Sequence, residues 1–402
     1  MKIETSWLNN FRQLIQIIRN NAGEARFVGG CVRDSILGRK ISDFDIATTL
    51  EPEEAMSILR ANSFTAIPTG LKHGTFTTLV GSRSVEITTL RKDLECDGRH
   101  ATVMFTENWK EDAKRRDFTF NALYMDIDGN VYDYFSGLED LKYRRLKFVG
   151  DPCKRIEEDY LRILRVFRFQ ANICKLPIGM EILEACEKYK EQINLLSGER
   201  IQAEMLKLLS YDNFLSTLEA MQSAKVLERV FNTEILFSKI DAERTHQLRD
   251  PIAALALLIR NTVDNYDLQW LYQRWRFSKK IYQMLDTLIL ENHIASLQTT
   301  ASRLGKDLAN KLLKILYAEN KINDKEYQQF SVELISSSVP VFPLFGRDLT
   351  PLGYKGPELG RILKYLKTLW EESGCRMNRQ ELLSRTKKYD PDNIGERNPK
   401  LR

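Results

Sequence analysis

Asp43-Phe44-Asp45 sets two carboxylates two residues apart inside DFDIATTL, a run with the composition of a β-strand. Residues i and i+2 of a strand share a face, so both carboxylates project together while Phe44 turns to the core. Adjacent carboxylates repel unless a cation lies between them, and a hard divalent ion, Mg²⁺, is the natural occupant. Thirteen residues before Asp43, the strand-like run ARFVGG ends in Gly29-Gly30, and a helical start, Val32-Arg33-Asp34, follows. Two glycines let a ligand come close to the backbone, and a helix N-terminus offers N–H groups to phosphate. Arg33 adds a fork-shaped phosphate donor. Taken singly, Gly-Gly is as readily a tight turn, and D-x-D a solvated strand face. Together they point to metal-assisted chemistry on a phosphate. Glu86, in SVEITTL, alternates with Val85 and Ile87 and so points away from the core. It either completes the metal site or belongs to an exposed strand face.

These groups need a sheet to hold them. Over the first 150 residues helical spacing (Trp7, Phe11, Leu14, Ile15, Ile18) gives way to short β-rich runs. They are ARFVGG, DFDIATTL, GTFTTLVG, SVEITTL and NALYMDIDGNVYDYF, the last reading as a hairpin around Asp-Gly-Asn. The polar stretch Arg91 to Lys114 reads as a long loop. After about residue 155 the apolar period becomes 3.6, in EDYLRILRVFRFQA, GERIQAEMLKLLS, DPIAALALLIRN, KKIYQMLDTLILENHI and GPELGRILKYLKTLWEES. The chain is therefore α+β, an N-terminal mixed sheet with helices followed by helical modules in series, and DPDNIGERNPKLR reads as a frayed basic tail.

Length and composition set the outer limits. The chain has 402 residues, 43% hydrophobic and 29% charged, which excludes a disordered or fibrous protein. No apolar run approaches the 18 or so residues of a membrane span, and no secretory signal is visible. Sixty basic against 55 acidic residues permit a nucleic-acid partner without requiring one. Six scattered cysteines without a C-x-x-C pair and four isolated histidines give no zinc site and suit a reducing cytoplasm.

Gly29-Gly30-x-Val32-Arg33-Asp34 followed by Asp43-x-Asp45 resembles the bacterial and eukaryotic tRNA nucleotidyltransferases, the CCA-adding enzymes, of the superfamily that includes DNA polymerase beta. Further matches come in order: PTGLKHGT (68–75), DGRH (97–100), Arg115-Arg116-Asp117-Phe118-Thr119 before Asn121-Ala122-Leu123, Glu158-Asp159-x-x-Arg162, and SGERIQAEM (197–205). The likeness is strongest over residues 25–210 and returns in PLFGRDLTPLGYKGPELGRIL (343–363).

The resemblance implies a nucleotidyltransferase head (polymerase-beta-like mixed sheet with helices) over 1–148 and a helical neck for nucleobase recognition over 149–210. A helical body over 211–290 and a helical, tRNA-binding tail over 291–402 would follow. It implies CCA addition to tRNA from CTP and ATP, with Mg²⁺ held by Asp43 and Asp45, a cytoplasmic location, and no membrane or stable protein partner. Gly30, Arg33 and Arg116 would bind the nucleotide, Arg115 and Asp117 would anchor their turn, and Glu86 would join the catalytic carboxylates. Glu158 to Arg162 is expected to begin a helix, with Asp159 and Arg162 on one face reading the base. Asp159 can accept from the exocyclic amine of cytosine or adenine. Arg162 can donate to cytosine N3 and O2 or adenine N1, whereas uracil and guanine reverse these groups. Arg165 and Arg168 continue the series as nucleotide-binding arginines, although i+3 steps carry Arg168 to the side opposite Asp159 on a straight helix.

The basic clusters Lys142–Arg145, Lys154-Arg155 and Lys387-Lys388 read as solvated patches, and Gly353 to Gly360 is the better RNA-contact candidate. Poly(A) polymerases of bacteria share the head motifs but typically carry Arg-Arg-Phe where this chain has GLKHGTFTTLVGSRSVEI. Enzymes adding only CC or only A remain open alternatives. His246 is followed by Gln and His293 by Ile, so the His-Asp phosphohydrolase module of larger relatives is not expected.

Overall fold

The computed structural model describes residues 1–96, 101–263, 266–294, 296–336 and 338–389. DGRH (97–100) and the basic tail from 390 onward lie outside them. The chain forms two compact units, Met1–Glu234 and Ile235–Arg402.

In the first unit the apolar stripe of α1 (Arg12–Asn20) buries Leu14, Ile15 and Ile18. Strands β1 (Ala25–Val28), β2 (Phe44–Thr48), β3 (Ile67–Gly70), β4 (Thr75–Val80), β5 (Arg83–Thr89), β8 (Leu123–Met125) and β9 (Val131–Asp133) form one sheet in the order β3-β4-β5-β2-β1-β8-β9. Between them lie α2 (Gly30–Ile36), α3 (Pro52–Ala61) and, after β9, α5 (Gly137–Lys142). Only β2 and β5 pair in parallel among the described strands of this sheet. Phe44 packs against Trp7 and Phe11, which also meet Phe27, in an aromatic cluster on one side of the sheet with ring centroids 4.7 to 5.8 Å apart. The other side carries Val28, Ala47, Leu90, Trp109 and Tyr124. The hairpin expected in NALYMDIDGNVYDYF is present as β8–β9.

The stretch Arg91 to Lys114 is not a long loop. It holds a second, two-stranded sheet of β6 (Arg91–Cys96) and β7 (Ala101–Phe105), then α4 (Trp109–Lys114). Asn108 caps α4 by accepting from Lys110 and Glu111 N–H, and Trp109 and Ala113 bury against the sheet.

The expected helix start at Glu158 also differs. Helix α6 (Pro152–Glu158), capped by Asp151, stops there, and α7 (Leu161–Asn172) starts anew. Asp159 lies between them in extended backbone (φ −155°, ψ 106°) and accepts from Leu161 N–H, a local bond that competes with helix continuation. The unit continues through α8 (Met180–Lys188), α9 (Gly198–Leu209), α10 (Phe214–Ser223) and α11 (Leu227–Phe231).

The described part of the second unit is helical: α12 (Pro251–Arg260), α13 (Leu268–Trp275), α14 (Lys279–Leu290), α15 (Leu297–Leu304), α16 (Lys306–Ala318), α17 (Asp324–Ser336), α18 (Gly346–Leu349), α19 (Gly356–Glu372) and α20 (Arg379–Arg385). Arg260 ties three of them. Its guanidinium donates to both Glu319 oxygens (2.7 and 2.8 Å) and to the carbonyls of Leu288, Ile289 and Glu291 at the end of α14. Both side chains are buried, at 3% and 5% exposure. Arg260→Ala is expected to destabilise the protein by about 2–4 kcal/mol, read as a lower urea midpoint, because buried Glu319 keeps only Lys321 and Asn261 as partners and the α14 carbonyls lose their donor. Among the described residues, no helix is long and apolar enough to cross a membrane.

Candidate active site

Asp45 on β2 stands in register with Glu86 on β5, so the parallel pair brings the two carboxylates side by side on one face. Burial pushes the Asp45 carboxyl up to about 6, and the charges of Glu86 and Asp43 act in the same direction against the opposing pull of Arg116. Asp43 sits just ahead of the strand, exposed, accepting from Ser42 Oγ at 2.8 Å. Among the described residues, no three carboxylate, thiol or imidazole groups gather closely enough to cage an ion unaided.

The glycine turn flanks this pair. Gly29 has φ +71° and hands the chain directly from β1 to α2, a conformation that favours glycine. Arg116 Nη1 lies 3.7 Å from where a Cβ on Gly29 would stand. The remaining nitrogens of Arg116 are fixed: Nη2 donates to Asp112 Oδ2 at 3.1 Å and Nε to Tyr124 Oη at 3.1 Å. Tyr124 Oη in turn donates to Asp112 at 2.6 Å. Asp112 is 1% exposed and also accepts from Arg115 Nε at 2.9 Å. Burial opposes its charge, but Arg116, Arg115 and Tyr124 outweigh it and hold the carboxyl well below the usual carboxylate range.

Arg33 is buried and its fork is engaged by the protein. Nε and Nη2 donate to Asp34 (3.0 and 2.7 Å), and Nη1 donates to Asn121 Oδ1 at 2.7 Å. Gly30 follows Gly29 as the first residue of α2, with Arg33 Nη2 3.9 Å from its Cβ position.

Helices α6 and α7 grip the 115–117 turn, and α9 braces α7 from behind. Arg155 donates to the carbonyls of Arg115 and Arg116, and Arg162 to that of Arg115 at 3.1 Å. Asp117 accepts from Phe118 N–H, Asn121 Nδ2 and both Nε (2.7 Å) and Nη2 of Arg165. Burial opposes the Asp117 charge, and Arg165 overrides it, so this carboxyl too is held low. Glu204 on α9 pairs with Arg168 at 2.9 Å and reaches Arg165 at 3.6 Å. Asp159 is clasped by Arg200 at 2.8 and 3.0 Å, while Arg162 holds Glu158 and the Arg155 carbonyl. Asp159 and Arg162 thus sit near one another across the helix break, each with its own partner.

Sequence reading missed the roles of Asp112, Asn121, Arg155, Arg200 and Glu204. Asp112 was findable, four residues before Arg116 on a short helix. Arg200 and Glu204 share that spacing within GERIQAEM, but nothing local names their partners.

Residues 25–147 match the family model described as poly A polymerase head domain, and residues 176–235 match the probable RNA and SrmB-binding site of polymerase A. The mitochondrial CCA tRNA nucleotidyltransferase 1 of Danio rerio is 36% identical, over 95% of this chain and 91% of its own length. The chain belongs to the CCA tRNA nucleotidyltransferase family. The CCA-adding enzyme of Levilactobacillus brevis is 32% identical over 88% of the chain and 90% of its own. Solved CCA-adding enzymes share the fold: that of Bacillus stearothermophilus in complex with CTP has a TM-score of 0.77 at 24% identity, covering 96% of this chain and 99% of its own. That of Thermotoga maritima complexed with tRNA has a TM-score of 0.66 at 19% identity, covering 97% of each. The α+β head with its helical continuation is the architecture of the CCA-adding family.

Proposed function

We propose that this chain adds CCA to the 3′ end of tRNA, drawing on CTP and ATP without a nucleic-acid template and releasing pyrophosphate. The observation that carries the reading is the Asp45–Glu86 register pair beside a glycine turn watched by Arg116, with the Asp159 helix break behind it. The family's named relatives support it. We assign the head to 1–148, the neck to 149–210, the body to 211–290 and the tail to 291–402. The unit boundary after Glu234 falls within the body segment.

Asp43 and Asp45 would hold Mg²⁺, with Glu86 as the third catalytic carboxylate. The residues fit such an ion. Burial first, and then the charges of Glu86 and Asp43, raise the Asp45 pKa, so a cation beside these carboxylates would relieve the crowding, and magnesium takes its remaining ligands from water and nucleotide phosphate. When bound, the ion supplies charge that acidifies the attacking 3′-hydroxyl and neutralises the leaving pyrophosphate. The open backbone at Gly30 would receive the triphosphate, and Arg116 Nη1, aimed at the glycine turn, would bind it. Arg33 shapes this wall from behind through Asp34 and Asn121. Arg165 and Arg168 serve the nucleotide by fixing the 115–117 turn and α9.

Base choice falls to Asp159 and Arg162, as acceptor and donor. Reading a base means exchanging protein partners, Arg200 for one and Glu158 for the other. Asp159→Ala is expected to narrow the preference for CTP over UTP by about 10–100-fold in kcat/KM, because uracil O4 no longer meets a repelling carboxylate. Competing incorporation assays check this. The cytoplasmic location is part of this proposal; burial pushes the Cys31 and Cys174 thiols up to about 12, where they are unreactive.

The deciding experiment incubates purified protein, Mg²⁺ and a tRNA ending at the discriminator base with CTP, ATP or both, and sizes the products to one nucleotide. Growth by three nucleotides that stops and needs both substrates is expected. Two additions from CTP with no third on adding ATP would mark a CC-adding specialist, and a long ladder from ATP alone would mark polyadenylation.

A further inference from the structure

A row of residues crosses the sheet on the catalytic face. Tyr124 on β8 pairs with Val28 on β1, Asp45 on β2 pairs with Glu86 on β5, and Glu86 pairs with Thr77 on β4. Thr77 pairs in turn with Ile67 on β3, whose side chain is 51% exposed. Facing is confirmed by burial: Phe76, Thr78, Val85 and Ile87 are buried on the opposite side, while Thr77 and Glu86 are accessible. Thr69 Oγ1 meets Thr77 Oγ1 at 2.9 Å, and Thr75 Oγ1 meets Thr88 Oγ1 at 3.0 Å. Within each pair one hydroxyl donates to the other, so one O–H per pair stays available to an outside acceptor.

Chemistry assigns a direction to this row. In phosphoryl transfer the attacking and leaving oxygens lie roughly in line across the phosphorus. With the triphosphate at the Gly29-Gly30 turn and Arg116, on the β1–β8 side of Asp45, the attacking 3′-hydroxyl must arrive from the β5–β4–β3 side. Strands are spaced by about 4.8 Å, so Thr77 lies ~10 Å from Asp45, within reach of the sugar–phosphate next to the attacking end. The turn Leu71–His73 places exposed Lys72 at one end of the β3–β4 hairpin, with exposed His73 beside it, and Lys72 adds the charge a phosphodiester calls for.

We propose that the β3–β4 edge is the seat of the growing tRNA 3′ end, with the Thr69–Thr77 hydroxyl pair donating to the terminal sugar–phosphate and Ile67 packing on its ribose. The inference rests on the reading of the site as a tRNA nucleotidyltransferase. The probe is a tRNA ending at the discriminator base. The double variant Thr69→Val/Thr77→Val keeps shape and strand preference but removes both hydroxyls. It is expected to raise KM for tRNA about tenfold, with CTP binding measured without tRNA unchanged. Thr77→Ser in place of Thr77→Val should restore most of the loss. A wild-type KM for tRNA in the double variant overturns the proposal, as does an equal loss of CTP affinity, which would mark a merely structural role. If the wild-type protein itself fails to extend tRNA, the functional reading has failed instead.

Discussion

Asp45→Asn is expected to lower nucleotide addition by about 10³-fold or more while leaving a folded protein. The ion it would help hold supplies several kcal/mol of charge stabilisation, and each 1.36 kcal/mol is a factor of ten in rate. Stability should move the opposite way. The Asp45 carboxyl is raised from its ordinary value near 4 to about 6, so the folded state favours its protonated form. Its contribution to stability is fully present below the ordinary pKa and is lost as pH rises through about 6. At pH 7.5 the metal-free wild type therefore carries a largely buried charge, next to those of Glu86 and Asp43, that asparagine lacks. A rise of that size corresponds to about 2.7 kcal/mol, and screening of this partly exposed group reduces that to about 1–2 kcal/mol. Calorimetry without metal should show the variant melting higher at pH 7.5 and level with wild type near pH 4. Mg²⁺ should raise the melting temperature of wild type far more than that of the variant. A variant less stable at pH 7.5 would contradict the charge-crowded site.

Asp112→Ala should damage both folding and nucleotide binding. The alanine strands the Arg115 and Arg116 guanidiniums and the Tyr124 hydroxyl around a buried gap, a loss of about 3–5 kcal/mol by analogy with other broken buried pairs. Arg116 then loses the fixed direction that brings Nη1 beside Gly29, and KM for CTP should rise by about 10–100-fold. The pH signature is distinct from that of Asp45. Asp112 is held below its ordinary value, so its stabilisation is present above that value and is lost as pH falls through the folded one. The gap between the urea midpoints of wild type and variant should therefore narrow progressively as pH falls below the ordinary carboxylate range. Asp112→Asn, which keeps the shape without the charge, separates the two effects. A normal KM for CTP in a folded Asp112→Ala protein would show that Arg116 does not bind nucleotide.

Much of this was legible because alternation and helical period are local signals. Phe44 between two aspartates, the Asp-Gly-Asn hairpin and the apolar stripes of α7, α9, α12, α14 and α19 all became the elements their patterns implied. The β6–β7 hairpin did not announce itself. RKDLEC is mostly polar, and without an apolar face a strand has no period to read. The break at Asp159 was hidden for a different reason: E-D-x-x-R satisfies helical spacing, and only the bond from Leu161 N–H to Asp159 interrupts it. Arg33 shows the deeper limit. Its type predicted a phosphate fork, yet its Nη1 partner, Asn121, lies 88 residues away in sequence.

The parallel pairing of β2 with β5 has a consequence for biogenesis. Asp45 and Glu86 are 41 residues apart, and the antiparallel hairpin β4–β5 can form without bringing them together. Closing that long crossover costs chain entropy before any metal-binding reward is available, and non-local pairings of this kind form slowly. The turn that carries Arg116 is completed later still, once Tyr124 on β8 has zipped onto β1. A polypeptide emerging from the ribosome therefore has no paired carboxylate site until β5 has emerged and no oriented arginine until β8 has followed, and nucleotide competence marks a finished head.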